Sequence, residues 1–95
     1  MKATKIKMKP GCGTSNNLLE IESIYITEGK EVGIQEGYYA KASVHDYVKD
    51  NPKSIQVGIF PYPDLLHAIS PKKEKYVKST PNNTTGDNLL NLPRE

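Results

Sequence analysis

The one cysteine of the chain, Cys12, lies in a glycine-rich segment, PGCGTSNN, that has the composition of a reactive loop. A thiolate here would be a nucleophile, and the nearby Lys9 could lower the pKa of Cys12. Backbone amides of such a loop can also surround a phosphate group. However, the full phosphate-loop motif is absent, and a strand pattern instead of a helix follows the segment. We therefore expect an ordinary loop whose thiol is dispensable.

Histidines and paired carboxylates are the other groups that could perform catalysis or bind a metal. His45 and His67 lack the close spacing of a structural zinc site, and both are expected to point to solvent. The carboxylates are paired at the spacing of ordinary surface charge on a strand or a helix. These pairs are Glu20 with Glu22 and Asp46 with Asp50. The sequence thus predicts no catalytic, metal-binding or cofactor-binding residue, and we expect that the protein is not an enzyme.

Lysines are concentrated in two segments, residues 2–9 and 72–78, and several tyrosines surround short basic stretches. Lysines beside aromatic rings can bind the phosphates and stack the bases of a nucleic acid. The net charge is only +2, and an acidic segment separates the two clusters, which weakens this interpretation. Tyrosine is also the natural half-buried residue of a small core, so we expect most of the tyrosines in the core or at its rim. The candidate binding surface consists of Lys5, Lys7, Lys72, Lys73 and Lys75.

Alternating patterns predict two strands near the N-terminus, at residues 4–8 and 18–26. One face of the second strand would carry Leu19, Ile21 and Tyr25. If the two strands pair antiparallel, opposite charges face each other across the ladder and partly neutralise the lysines. The expected partners are Lys5 and Lys7 on the first strand with Glu20 and Glu22 on the second.

One short helix is predicted in the middle of the chain. Ser43 is a good N-cap, and Asp46 in the first turn suits the helix dipole. An apolar stripe follows at the spacing i, i+3 and i+4, and Asn51 before a proline ends the helix. The residues of the stripe are Val44, Tyr47 and Val48. Two turns are not stable alone in water, so this helix must pack on a sheet.

Further strands are predicted at residues 38–42, 54–60, 65–69 and 76–80, separated by polar or proline-containing turns or by the helix. Strands joined by short turns are typical of an antiparallel sheet. We therefore predict a single α+β domain over residues 1–95. It would contain an antiparallel sheet of about five strands and one short helix, with the C-terminal segment packed back on the core.

The composition excludes several classes of protein. The chain is 36% hydrophobic and 25% charged, which is ordinary for a folded soluble domain. A single cysteine excludes an intrachain disulfide. The lysine-rich N-terminus has no apolar segment of the kind found in signal peptides, and no apolar run is long enough to cross a membrane. We expect a cytoplasmic protein without membrane association.

The last twenty residues carry the most distinctive pattern, YVKSTPNNTTGDNLLNLP followed by two charged residues. A strand with tyrosine and a basic residue is followed by a polar turn, and then by Asp-Asn-Leu, two residues and Leu-Pro. This order resembles the C-terminal signature of small bacterial proteins grouped as domain-of-unknown-function family 3892. ATKIKM and SVHDYV resemble, less specifically, the opening strand and the helix of that family. The resemblance implies a compact α+β fold and brings no activity with it.

The leucines that follow the polar turn are predicted to pack on the core. Asp87 can cap a helical turn beginning at Asn88, which would direct Leu89 and Leu92 toward the core. If they were exposed, these leucines would form an apolar patch. We therefore predict a structural latch made of Asp87, Leu89 and Leu92.

Together these features favour a small non-catalytic module that binds a partner or assists it as an accessory protein, without a cofactor. The expected partner is another protein. The alternative is a small β-rich domain that binds nucleic acid through the lysines of residues 2–9 and 72–78.

Overall fold

A computed structural model of the chain describes residues 1–80 and 88–94. Its first two strands are β1, Lys2–Met8, and β2, Ile21–Thr27, and they pair antiparallel as the alternating patterns predict. Ile6 and Met8 are buried on the inner face of β1, and Lys7 between them is exposed.

A bulge in β2 decides which of its side chains reach the core. The register with β1 steps from Ser23 to Ile21 and skips Glu22. An extra residue of this kind reverses the alternation of side chains locally. Ile21 and Ile24 are therefore both buried although they are three residues apart. The prediction that Tyr25 shares a face with Ile21 is wrong, because the bulge places Tyr25 on the opposite face.

The helix α1, Lys41–Asp50, follows β3, Gly37–Ala40, without a loop. Its predicted apolar stripe is confirmed, since Val44 and Val48 are buried. The helix ends as expected at Asn51, which caps its C-terminus. In the described parts of the chain, no helix has the length and apolar composition needed to cross a membrane.

The predicted N-cap at Ser43 is wrong. The N-cap is Ala40, three residues earlier, and it makes no side-chain hydrogen bond. Contacts with distant residues hold this first turn instead, because the Lys41 ammonium bonds the backbone oxygen of Leu19 and the carboxylate of Glu74. A local capping pattern could not reveal such contacts.

The fourth strand, β4, has only two residues, Gln56–Val57, and it pairs parallel with the start of β1. The first sheet therefore has the order β3-β2-β1-β4 and is mixed instead of antiparallel. The strand predicted over residues 54–60 is shorter because the chain turns away at Gly58. A Cβ atom at Gly58 would lie 3.1 Å from the backbone oxygen of Ala3, a tight contact that favours glycine at this position.

A hairpin of β5, Leu65–Ile69, and β6, Lys75–Ser79, forms a separate two-stranded antiparallel sheet. Instead of one sheet of about five strands, the described residues thus form a four-stranded sheet and this hairpin. The helix contacts β2, β3 and both strands of the hairpin, so it joins the two sheets. The α+β class is confirmed. The core consists of Ala3, Ile6, Met8, Ile21, Ile24, Ile26, Val44, Val48, Ile55, Val57, Leu65, Val77, Leu89 and Leu92.

The C-terminal leucines lie on and beside a short 3-10 turn, Asn88–Asn91. Leu89 is fully buried, Leu92 is 4% exposed, and Leu90 packs against the core while remaining half-buried. The predicted packing of this segment on the core is therefore confirmed. Asp87, the predicted cap, lies outside the described residues.

The end of the chain also extends the first sheet. The Ile6 amide of β1 donates a hydrogen bond to the Pro93 oxygen at 2.9 Å, and Ile6 and Arg94 form a parallel bridge. The Arg94 guanidinium then donates to the backbone oxygens of Gly13 and Ser15 at 2.9 and 2.8 Å. The tail thus pairs with β1 beyond β4 and ties down the glycine-rich loop.

Candidate functional site

The outer face of the four-stranded sheet, turned away from the helix, carries a row of one lysine and two tyrosines. Lys5, Tyr25 and Tyr38 lie side by side because they are register partners on β1, β2 and β3. The Lys5 ammonium is 4.6 Å from the centre of the Tyr25 ring. The Tyr25 and Tyr38 rings meet edge to face with their centres 5.0 Å apart. All three residues are partly exposed, although the hydroxyl of Tyr38 is buried.

A second aromatic group lies beside this row, in the loop of residues 58–63. The ammonium of Lys2, on β1, is 4.8 Å from the centre of the Tyr62 ring. The Phe60 ring meets Tyr62 edge to face at 5.9 Å. Phe60 is 80% exposed and Tyr62 48%, and exposed rings of this size mark contact surfaces more often than isolated aliphatic residues do. We call the two groups together the aromatic–lysine surface: Lys2, Lys5, Tyr25, Tyr38, Phe60 and Tyr62.

Two carboxylates border this surface. The Lys7 ammonium lies 4.0 Å from Glu22, an ion pair that the sequence predicts, and both side chains are about half exposed. The Tyr25 hydroxyl donates to Glu36 at 2.7 Å. The predicted position of Glu20 across from the β1 lysines is wrong, because Glu20 lies in a 3-10 turn before β2. The register partner of Lys5 is Tyr25.

The second lysine cluster lies elsewhere, on the hairpin. The Lys75 ammonium is 3.0 Å from a carboxylate oxygen of Asp46 on the helix. Lys72 and Lys73 are exposed in the turn between β5 and β6. The five lysines of the candidate surface are thus divided: Lys5 and Lys7 lie on the outer face of the first sheet, and the other three lie on the hairpin or its turn.

A carboxylate connects the two basic segments. Glu74 lies 3.6 Å from the Lys9 ammonium and also pairs with the ammonium of Lys41. The hydrogen bond from Lys41 is the main reason that the pKa of Glu74 lies below its ordinary value, and the charge of Lys9 acts in the same direction. This cluster fixes the hairpin turn against the helix and the end of β1.

His45 is the residue that sequence reasoning misplaced most clearly. It is 1% exposed instead of pointing to solvent, and its ring meets the ring of His67 edge to face at 5.5 Å. Nδ1 of His45 lies 2.9 Å from Asp46, and Nε2 is buried without a hydrogen-bond partner among the described residues. The hydrogen bond with His45 is the largest cause of a lowered pKa at Asp46, and the ammonium of Lys75 adds to it.

A signal for this burial is present in the sequence. The buried helix positions 41, 44, 45 and 48 have the spacing i, i+3, i+4 and i+7 of a helix face that contacts a core. Two of the four are polar, Lys41 and His45, so a search for apolar residues alone missed them. His45 lies enclosed between the helix and the hairpin, so it cannot reach a substrate.

Cys12 has a partner, which the sequence did not indicate. Its thiol donates a hydrogen bond to one carboxylate oxygen of Glu20 at 3.0 Å, and the Ser15 hydroxyl donates to the other. The bond to Glu20 is the main reason that the pKa of Cys12 is raised, and partial burial adds to it. Lys9 acts in the opposite direction, but its effect is smaller. A raised pKa keeps the thiol protonated, which makes it a poor nucleophile.

A small cavity of about 130 Å³ lies between the helix and the first sheet. Its lining consists of apolar residues, two tyrosines and one serine, and it includes no charged side chain. It therefore offers few groups that could orient a polar substrate. Within residues 1–80 and 88–94, no three histidine, cysteine, aspartate or glutamate side chains are grouped so that they could hold a metal ion.

Comparison with known protein families identifies the family of the chain. The sequence model of a family described as "Protein of unknown function (DUF3892)" matches residues 4–93. The chain belongs to the DUF3892 family. No curated protein and no solved structure gives a significant match.

The matched span of this DUF3892 protein covers most of the features described above. It contains five residues of the aromatic–lysine surface, all except Lys2, and it extends through the buried leucines of the tail to Pro93. The resemblance inferred from the sequence is therefore confirmed at the level of the family.

Proposed function

We propose that this DUF3892 protein is a small, non-catalytic binding module and that its binding site is the aromatic–lysine surface. The observation that carries the proposal is the exposure of Phe60 and Tyr62 next to Lys2, on the face of the sheet that the helix does not cover. Large exposed rings that are not needed by the core are typical of surfaces that contact another molecule.

The reactive side chains support a non-catalytic role because they are engaged in bonds that hold the fold together. Cys12 is bound to Glu20 and has a raised pKa. His45 is enclosed between the helix and the hairpin. A catalytic acid or nucleophile must instead reach a substrate in a cleft.

A binding experiment with a variant of the surface tests this proposal. A tagged chain and its double variant, Lys2→Gln with Phe60→Ala, would be used to capture material from a cell extract, with and without nuclease treatment. Both substitutions are at exposed or partly exposed positions, so the variant should fold, and its thermal melt would confirm this. The parent should retain material that the variant loses. Equal retention by the two chains would contradict the proposed site.

A further inference from the structure

We infer that the ligand of the aromatic–lysine surface is single-stranded nucleic acid, an inference that rests on the proposed binding function. Proteins that bind single strands combine aromatic rings, on which bases stack, with cations that follow the phosphates. The structure places a lysine of β1 against a tyrosine ring twice, Lys5 against Tyr25 on the sheet and Lys2 against Tyr62 in the neighbouring loop.

The rings are arranged as separate stacking positions. Phe60 is 80% exposed and contacts Tyr62 through an edge-to-face arrangement, so part of its surface faces solvent. Tyr25 and Tyr38 also meet edge to face instead of stacking on each other. Because an ammonium lies over the Tyr25 ring and another over the Tyr62 ring, Phe60 is the ring with the most surface available to a base.

The cations lie where phosphates between stacked bases would pass. A bulge at Thr4 separates Lys2 from Lys5, and their register partners on β2 are only two residues apart, which is roughly 7 Å along a strand. Each ammonium contacts a ring of a different aromatic group, Tyr62 for Lys2 and Tyr25 for Lys5. A strand of nucleic acid crossing the face would thus meet a ring and a cation at two successive places.

Single strands fit this surface better than a duplex does. The bases of a duplex are stacked on one another, and their faces are not available to protein rings. The carboxylates of Glu22 and Glu36 at the border also oppose a broad contact with two phosphate backbones. The exposed rings therefore favour an unpaired strand. Stacking of bases on such rings does not depend on the base sequence.

The expected affinity has a defined dependence on salt. If Lys2 and Lys5 each neutralise one phosphate, the slope of log affinity against log salt is about −0.7 for each, or about −1.4 in total. Raising salt from about 50 to about 200 mM should then weaken binding about sevenfold.

Fluorescence anisotropy with labelled oligonucleotides of about 12 residues tests the inference directly. The probes are one mixed sequence as single-stranded RNA, as single-stranded DNA and as the DNA duplex. The parent chain should bind the single strands more tightly than the duplex. Phe60→Ala, which removes one stacking position, should weaken binding at least about fivefold, and Phe60→Leu should weaken it as well. Lys2→Gln should reduce the salt slope by about 0.7.

Lys49→Gln is the matched control, because it removes the same charge from the exposed last turn of the helix on the other side of the sheet. It should leave both the affinity and the salt slope unchanged. Equal weakening by Lys49→Gln and Lys2→Gln would show that only net charge matters. That result, or no binding of any single strand at about 50 mM salt, would overturn the inference.

The capture experiment separates this inference from the proposed function. One outcome supports both the proposed function and the nucleic-acid inference. In that outcome, the parent retains more material than the surface variant without nuclease, and nuclease treatment removes the difference. If it loses a protein whether or not nuclease is present, and the oligonucleotides do not bind, the surface binds a protein and the nucleic-acid inference fails. If the parent and the variant retain the same material and neither binds an oligonucleotide, both statements fail.

Discussion

Replacing Leu89 with alanine removes a fully buried side chain from the C-terminal latch. A substitution of this kind costs about 2–5 kcal/mol of unfolding free energy, because the lost methyl groups leave a cavity. A chain of 95 residues has about 5–14 kcal/mol of stability in total. Since each kcal/mol corresponds to about 4–8 °C in a domain of this size, Leu89→Ala should lower the melting temperature by at least about 8 °C.

Thermal melting and amide hydrogen exchange together measure this effect. The Ile6 amide is the most specific probe, because its hydrogen-bond acceptor is the oxygen of Pro93 in the tail. If the tail detaches, exchange at Ile6 should accelerate before exchange in the centre of β2 does. Leu90→Ala is the matched control, since it removes the same atoms from a half-buried position and should lower the melting temperature less.

A chain shortened after Thr85 tests the latch as a whole. It lacks both buried leucines and the partner of the Ile6 amide, so it should be less stable than Leu89→Ala. The reasoning is refuted if this chain melts cooperatively within a few degrees of the parent. The leucines would then be better explained as a docking segment for another protein.

Three further predictions concern the buried and paired polar groups. Cys12→Ser keeps a donor for Glu20 and should leave the melting temperature unchanged, whereas Cys12→Ala should lower it; paired thermal melts check both. Lys41→Met keeps the apolar stem but removes the ammonium, so the pKa of Glu74 should rise toward its ordinary value of 4.5, as measured by carboxyl NMR titration. Acid should destabilise the fold, because the folded-state pKa values of Glu20, Asp46 and Glu74 are lowered. The stability that these carboxylates contribute is complete above about pH 4.5, and it is lost as the pH falls through their folded-state pKa values. Urea unfolding at about pH 6 and about pH 3 should show the loss, and equal stability at the two values would contradict it.

Local sequence patterns predicted the elements of this fold better than their arrangement. Alternation identified β1, and the spacing of Val44 and Val48 identified the helix. The leucines after the polar turn indicated a buried tail, which Leu89 confirms. In each case the signal is carried by residues close together in the chain, and burial of one apolar face is enough to produce it.

The pairing of the strands depends on contacts between distant residues, and here local patterns failed. Short turns suggested one antiparallel sheet, but β4 returns from the helix to lie parallel with β1. The hairpin instead packs on the helix, where it encloses His45. The spacing of positions 41, 44, 45 and 48 places His45 on the buried helix face, but what covers it there is the hairpin, which begins twenty residues later.

The sequence predicted only part of the aromatic–lysine surface, because its assembly also depends on contacts between distant residues. The alternation of lysines in β1 predicted a solvated face, and tyrosines near basic segments suggested stacking. The bulge at Glu22 then determines that Tyr25 shares this face with Lys5. Phe60 and Tyr62 join it only because the chain turns away after β4.

The two faces of β1 connect the latch with the proposed binding site. Side chains on its inner face, such as Ile6, belong to the core, while a bulge at Thr4 brings Lys2 and Lys5 to the same outer face. The edge of β1 away from β2 is paired with β4 at one end and with the tail at the other. The tail therefore holds in place the strand that positions the lysines against the tyrosine rings. Residues fixed in register on a central strand lose less conformational freedom when a ligand binds than the same residues on a mobile loop would lose. This smaller loss favours binding.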